Sequence, residues 1–324
     1  MSKRAEILTL LKNGRTDYIS GENICKKLNV SRTAVWKHIR SLREEGYTID
    51  AIPNRGYRLI DSPDFLYPDE IKDGLNTDII GNTVYFYESL ASTNREARDL
   101  AQAGAPGGTL VVAEEQTGGR GRMGRGWFSP KGTGIWCSLV LRPEISPGQA
   151  PPVTMLTAVA VASAIEKASG VRPGIKWPND LLANGKKICG ILTEMSAEIE
   201  RINYLVVGIG INVNTPAFTE ELKDNATSLC LIRGEAISRL EIIKQLLREF
   251  EHYYLLWMDK GFEPILEEWK KRCITLHRPV RVSTYREFWD GWAEDVDKSG
   301  ALILRTEDGK LKHFMAGEVS LKVN

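Results

Sequence analysis

Five glycines and three arginines fall within residues 115–127, EQTGGRGRMGRGW, a segment with almost nothing apolar to bury. Glycine lets a backbone come close to a ligand, and each guanidinium offers a planar fork of donors that grips carboxylate or phosphate oxygens in pairs. The composition points to a loop that touches anions. The competing reading is a solvated linker, but linkers favour serine and do not place arginine at every second or third position. The segment holds no G-x-x-x-x-G-K-[ST], and no G-x-G-x-x-G that follows a strand and opens a helix. Any nucleotide chemistry here uses a different scaffold.

Further islands lie on both sides. Ser92-Thr93-Asn94 precedes the loop; KWPND at 176–180, GKKICGILTE at 185–194 and VVGIGINVN at 206–214 follow it. In this order, across residues 85–214, the chain resembles the biotin protein ligases, which activate biotin as its adenylate and pass it to a lysine of a carrier domain. The resemblance implies biotin and ATP with Mg2+ as ligands. It implies as partner the biotin carboxyl carrier protein of acetyl-CoA carboxylase or of another biotin-dependent carboxylase. In such a reaction a carboxylate attacks the α-phosphorus of ATP and pyrophosphate leaves, so cations and backbone amides must offset the repulsion between two anions. Arg120, Arg122 and Arg125 supply charge on a loop that can close, and Lys187 supplies a compact ammonium on a stiffer element.

Carried over residue by residue, the resemblance implies that Ser92, Thr93, Asn94 and Gln116 line the site of the biotin ureido ring. Their hydroxyl and amide groups match its donors and acceptors. Arg120, Gly121 and Arg122 would wrap the biotin carboxylate and the adenylate phosphate. Lys187 and Arg122 would be the catalytic pair, and Gly190 and Gly208 would leave room for the ligand chain. Trp127, Asn179 and Asn212, with Arg122, fall to the nucleotide, and Asp180 to Mg2+. Plainer readings stand beside these. Ser92-Thr93-Asn94 suits a helix cap, Lys187 taken alone is an ordinary surface lysine, and Trp177-Pro178 suits a structural corner. No nucleophilic triad is expected, because the acceptor amine comes from the partner.

Elements must position these groups. Residues 84–87, 110–113, 135–141, 188–194 and 204–213 read as strands rich in β-branched and aromatic residues, while 94–103, 152–168 and 240–260 carry helical apolar spacing. Ahead of them, 1–15, 21–28 and 31–45 read as helices, the last two joined by a turn at Asn29-Val30. Val35, Ile39 and Leu42 share one stripe of the third helix, leaving Arg32, Thr33, Trp36, Lys37 and Arg40 on the other side, with Ser31 as its N-cap. A solvated face would look the same. However, strands at 47–52 and 56–60 around Pro53-Asn54-Arg55-Gly56 complete a winged helix-turn-helix whose hairpin tip carries Arg55. Operator DNA is therefore an expected partner. After Pro279, strand patterns at 280–284, 291–296, 301–305, 311–315 and 318–323 alternate with turns at Asp290-Gly291, Ser299-Gly300 and Asp308-Gly309.

The expected fold is α+β multidomain: a winged helix-turn-helix (1–62), a mixed α/β ligase domain with a class II synthetase-like sheet (66–272), and a small SH3-like β barrel (275–324). Regulatory biotin ligases that repress biotin genes carry such a front end. By that likeness the chain would bind DNA as a homodimer when adenylate-bound. With 43 basic against 42 acidic residues, DNA contact must come from a local patch. Five scattered cysteines with no C-x-x-C argue against a disulfide framework or zinc. The N-terminus lacks a signal-peptide pattern and no later segment is expected to approach the length of a membrane span, so the reading is cytoplasmic. Two rivals remain open. A lipoate ligase has a related fold but does not suit GRGRMGRG with KWPND, and a regulator that only senses ligand has no need of Lys187 and the arginines.

Overall fold

The computed structural model describes residues 3–14, 17–284 and 287–321, and it divides into two compact units, Met1–Phe65 and Leu66–Asn324. The first holds α1 (Lys3–Asn13), α2 (Gly21–Leu28), α3 (Arg32–Glu44), β1 (Thr48–Ile52) and β2 (Gly56–Asp61). Residues 1, 2 and 15 of the expected first helix lie outside the described residues. Ile7, Leu11, Ile24, Val35, Ile39, Leu42 and Leu59 meet in its core, which confirms the α3 stripe. Hydroxyl caps start both later helices: Ser20 Oγ accepts the Asn23 amide (3.1 Å) and Ser31 Oγ the Ala34 amide (3.2 Å). β1 and β2 form the hairpin, and Ile19 bridges to Tyr57 beside it. Arg32, Thr33, Trp36, Lys37 and Arg40 are exposed on α3. At the hairpin, Arg55 stacks over the Tyr18 ring at 4.5 Å and Arg58 lies 4.7 Å from the same ring.

The second unit is built on a seven-stranded mixed sheet. Its strands are β3 (Val84–Tyr87), β4 (Leu110–Ala113), β5 (Gly134–Leu141), β6 (Gly174–Lys176), β7 (Asp180–Ala183), β8 (Lys186–Ala197) and β9 (Ile202–Asn212). They run in the order β3-β4-β5-β9-β8-β7-β6, with β3 and β4 parallel and every other pair antiparallel. Helices α4 (Pro68–Lys72), α5 (Thr93–Gln102), α6 (Pro152–Ser169), α7 (Leu229–Arg233), α8 (Arg239–Lys260) and α9 (Glu263–Arg272) accompany it. Strand periodicity divides the work between faces. Leu139 and Leu141 of β5 join α6 and α8 in the main core, whereas Val140, with Val206 of β9, packs on Ala97 and Ala101 of α5. Buried Glu251 of α8 accepts the amides of Asp78, Ile79 and Ile80 at 2.7–2.8 Å, which ties the segment before β3 to the helix.

Strands β10 (Arg278–Ser283), β11 (Phe288–Val296), β12 (Leu302–Thr306), β13 (Leu311–Phe314) and β14 (Glu318–Leu321) form an antiparallel sheet in the order β13-β12-β11-β10-β14. This is the SH3-like arrangement, a meander whose last strand returns beside its first. Val280, Val282, Ala293 and Leu304 belong to the same core as the seven-stranded sheet. Residues 322 and 323 of the expected last strand lie outside the described residues.

Two expectations change. Asp290-Gly291 is no turn: both residues lie inside β11, paired with Arg281 and Val280, and the Thr284 amide bonds to Glu287 O ahead of that strand. Gly291 serves close packing there, since a Cβ would meet Arg305 O at 2.3 Å. Second, 147–169 is long and apolar enough to cross a membrane by length and composition alone, contrary to the reading above. The segment is instead largely buried, with α6 packed against α8, α9 and β8. KWPND, by contrast, forms the structural corner that Trp177-Pro178 suited. Lys176 ends β6 and Asp180 begins β7, with the cis Trp177-Pro178 bond at the corner between them.

Candidate active site

A cavity of about 490 Å3 opens on the α5 face of the large sheet, lined by residues from all the islands. It gathers Ser92, Thr93, Asn94, Gln116, Arg120, Gly121, Arg122, Trp127, Asn179, Asp180, Lys187, Gly190, Gly208 and Asn212, which is every expected ligand residue of the ligase domain.

One end is buried and hydrogen-bonded throughout. The chain enters α5 at Ser92, which stands at the N-cap position but makes no side-chain cap bond, so its hydroxyl is not used as a cap. Gln116 Oε1 accepts from the Thr93 amide (2.9 Å) and hydroxyl (3.1 Å), while Gln116 Nε2 donates to Ser129 Oγ (2.9 Å). Asn94 Nδ2 donates to Glu194 Oε2 at 2.8 Å. Between them stands Ser138 of β5, fully buried, whose hydroxyl proton is shared between Thr93 Oγ1 (2.8 Å) and Asn94 Oδ1 (2.7 Å). β9 makes room for this network by lacking a side chain, since a Cβ on Gly208 would lie 2.0 Å from Asn94 Oδ1. The space over Gly208, expected to be left for the ligand chain, is occupied by the protein's own Asn94 amide, and Gly208 lines the cavity beside it.

The other end is charged. Within the glycine-rich loop the backbone doubles back, with the Gly121 amide bonded to Arg125 O (2.7 Å) and the Trp127 amide to Gly119 O (2.9 Å). Trp127 lies over the sheet where Gly210 and Gly190 leave space: a Cβ would come within 2.3 Å and 2.9 Å of its ring. Lys187 Nζ sits 5.1 Å from the centre of that ring and 2.6 Å from Asp180 Oδ1. Its backbone is fixed from both sides, by Asn225 O (2.8 Å) and the Thr227 amide (3.0 Å). Half-buried Arg122 donates to Asn179 Oδ1 (3.0 Å) and Gly317 O (3.3 Å), and burial draws its pKa down from the ordinary guanidinium value. Arg125 forks onto Glu318 of β14, with Nη2 to Oε2 at 2.6 Å, and Arg120 is exposed at the rim. Lys176, passed over in the sequence, adds another cation; burial lowers its pKa, opposed by the neighbouring Asp180.

Asp180 therefore stands among Lys187, Lys176 and Arg122. That is a poor setting for a metal ligand, and among the described residues no three His, Cys, Asp or Glu side chains come together to hold an ion. Asn179 and Asn212 line the cavity with their amides committed to the protein, Asn179 Nδ2 to Ile191 O (2.8 Å) and Asn212 Nδ2 to Thr227 O (3.1 Å). Trp177 is core, its indole donating to Gly300 O at 3.1 Å. Besides Lys176, the sequence reading missed Ser138, Gly210, Glu318 and the Phe218–Ala226 stretch that forms a further wall. Only Gly210 left a signal, because period two sets it on the same face as Gly208.

Comparison with known proteins agrees with this geometry. The biotin/lipoate A/B protein ligase family model matches residues 86–212, an HTH domain model 3–58, and a biotin protein ligase C-terminal domain model 275–322. The chain is 45% identical over 315 residues to the bifunctional ligase/repressor BirA of Bacillus subtilis, covering 97% of both chains. To its Escherichia coli counterpart it is 31% identical, covering 98% of this chain and 96% of that one. Among solved structures, the biotin protein ligase from Aquifex aeolicus in complex with biotin and ATP superposes with a TM-score of 0.66 at 29% identity, over 75% of this chain and 100% of that one. The chain belongs to the biotin protein ligase family, in its bifunctional ligase/repressor branch.

Proposed function

We propose that this protein activates biotin with ATP to biotinyl-5'-AMP, transfers the biotin to a lysine of a biotin carboxyl carrier protein, and represses biotin genes in response. The observation that carries the reading is the cavity itself: a buried, neutral hydrogen-bonding end joined to an end with five cations, Arg120, Arg122, Arg125, Lys176 and Lys187. A neutral cyclic urea on an acid tail fits that polarity. Thr93, Asn94, Gln116 and Ser92 take the ring, and Lys187 and Arg122 the carboxylate and α-phosphate. Withdrawing charge from the phosphorus and steadying the leaving oxygen needs donors fixed where charge develops. Asp180 acts as the counter-charge that holds Lys187 in place. The chain's residues do not build a cage for Mg2+, which would arrive on the ATP phosphates. Asn179 and Asn212 serve the nucleotide by shaping its wall.

In the first unit, Arg32, Thr33, Trp36, Lys37 and Arg40 on α3 face the major groove and Arg55 reaches a phosphate from the hairpin tip. The domain limits follow as 1–62, 66–272 and 275–324. We further propose a cytoplasmic protein that dimerises when adenylate-bound, so that two winged helices meet two half-sites. Biotin-dependent exchange of label between pyrophosphate and ATP tests the enzyme, and its absence with biotin would sink the reading. For the regulator, a gel shift on the host's biotin-gene promoter should appear only with biotin and ATP together. Ligand-independent binding by a monomer would contradict the coupling.

A further inference from the structure

A second cavity, about 170 Å3, lies against the first, and the two share Arg122, Trp177, Pro178, Asn179, Ile191 and Leu192 as common wall. Its other boundary is assembled from the start of α6, β8 and the C-terminal sheet, with Thr154, Met155, Thr193 and Met315 among the lining side chains. We infer that this second cavity is the entry passage for the acceptor lysine of the carrier protein.

The inference rests on the biotin ligase reading and adds the route of the second reactant. Once the main cavity holds the acyl adenylate, the attacking amine needs its own way to the same carbon. The partition between the cavities is made partly by the hydrogen bond from Arg122 to Asn179, 3.0 Å. Arg122 sits on the glycine-rich loop, and when it turns to an acyl phosphate that bond is given up and the partition loses one member. Methionine and tryptophan walls suit the four-carbon stem of a lysine, and the paired hydroxyls of Thr154 and Thr193, 2.9 Å apart, offer lone pairs to its nitrogen.

Charge points the same way. Among the described residues, the lining of this cavity contains Arg122 and no carboxylate. Burial and a neighbouring cation both disfavour an ammonium, so a lysine that enters is driven to its neutral, nucleophilic form. The nitrogen then bonds to the acyl carbon, the bond from that carbon to the phosphate oxygen breaks with its electrons leaving on AMP, and the surplus proton passes to water. Ser299 and Met315, both exposed, mark the mouth where the carrier would present its lysine.

Thr154→Trp and Met315→Trp in the full-length protein fill the passage without touching the main cavity's lining. Three rates are read: biotin-dependent pyrophosphate exchange, capture of the adenylate by hydroxylamine, and labelling of biotin carboxyl carrier protein. Carrier labelling should fall by about 30-fold or more in Thr154→Trp and less in Met315→Trp, with exchange and hydroxylamine capture within about two-fold of the parent. Thr154→Ser, which keeps the hydroxyl and fills nothing, should label the carrier normally. Undiminished carrier labelling in Thr154→Trp, or equal loss of all three rates, overturns the assignment. Absence of exchange in the unaltered protein would instead overturn the ligase reading.

Discussion

The two ends of the main cavity solve opposite problems. At the neutral end, Thr93, Asn94 and Ser138 are almost wholly buried and bonded to one another through elements that cannot move independently: the start of α5, β5 and β9. At the charged end, Arg120 and Arg125 are exposed and Arg122 half-buried, on a loop tip, 119–127, whose backbone bonds close on the tip itself. Selecting an uncharged ring requires donors and acceptors already in place, because a buried polar group left unpaired is costly. Handling charge that appears, spreads and departs requires cations that can follow it. Lys187 joins the two regimes, with a pinned backbone and a head steered by Asp180 and Trp127.

Removing the joining cation should have the largest effect. Lys187→Ala or Arg122→Ala is expected to cut biotin-dependent pyrophosphate exchange by about 10^2–10^3-fold, the scale for losing one donor to a developing charge. Because the neutral end stays intact, calorimetric biotin affinity should fall far less than the rate. Equal losses in affinity and rate would mean that the two ends are not separate in function.

Gly208→Ala attacks the neutral end alone. The added methyl would lie 2.0 Å from Asn94 Oδ1, and neither β9 nor α5 can retreat without disturbing the sheet. Overpacking of this kind costs about 1–3 kcal/mol, so thermal unfolding should shift downward and biotin binding weaken together. A variant with unchanged melting and unchanged KM for biotin would show that Asn94 is free to swing aside.

The charged end was the more legible of the two in the sequence. Glycine and arginine crowded into 115–127 have no packing explanation, so the loop declared itself, as did α3 with its stripe of Val35, Ile39 and Leu42. Ser138 did not, because a lone serine inside GIWCSLVL reads as an interruption of a buried strand, and its meaning comes only from α5 crossing above it. β6 and β7, three and four residues long, are too short for periodicity to register. α9 went unread because Ile265, Leu266 and Trp269 are few apolar signals among charged residues. Asp290-Gly291 misled for a definite reason: glycine serves close backbone approach as well as turns, and only the strand partner distinguishes the two. The second cavity draws its walls from 122, 154, 193 and 315, separations over which local patterning carries no information.

Ser138→Ala sharpens the comparison at single-bond resolution. Loss of one shared hydroxyl leaves Asn94 Oδ1 and Thr93 Oγ1 short of a donor, worth about 1–1.5 kcal/mol or about ten-fold in KM for biotin. KM for ATP should stay within about two-fold, since nothing in that network reaches the cations. Matching shifts in both constants would mark Ser138 as general scaffolding.

The smallest effect is expected where the loop meets the C-terminal sheet. Arg125 and Glu318 form a two-pronged ion pair, but their side chains are 64% and 44% exposed, so water and salt screen it strongly. Arg125→Ala and Glu318→Ala should each change the exchange rate by at most about five-fold, and the double variant should match the more affected single one rather than their product. The coupling should fade as ionic strength rises, because the pair is at the surface. Strict additivity at low salt would show that the pair does not hold the loop, and that the mobility of the charged end is set by its own glycines alone.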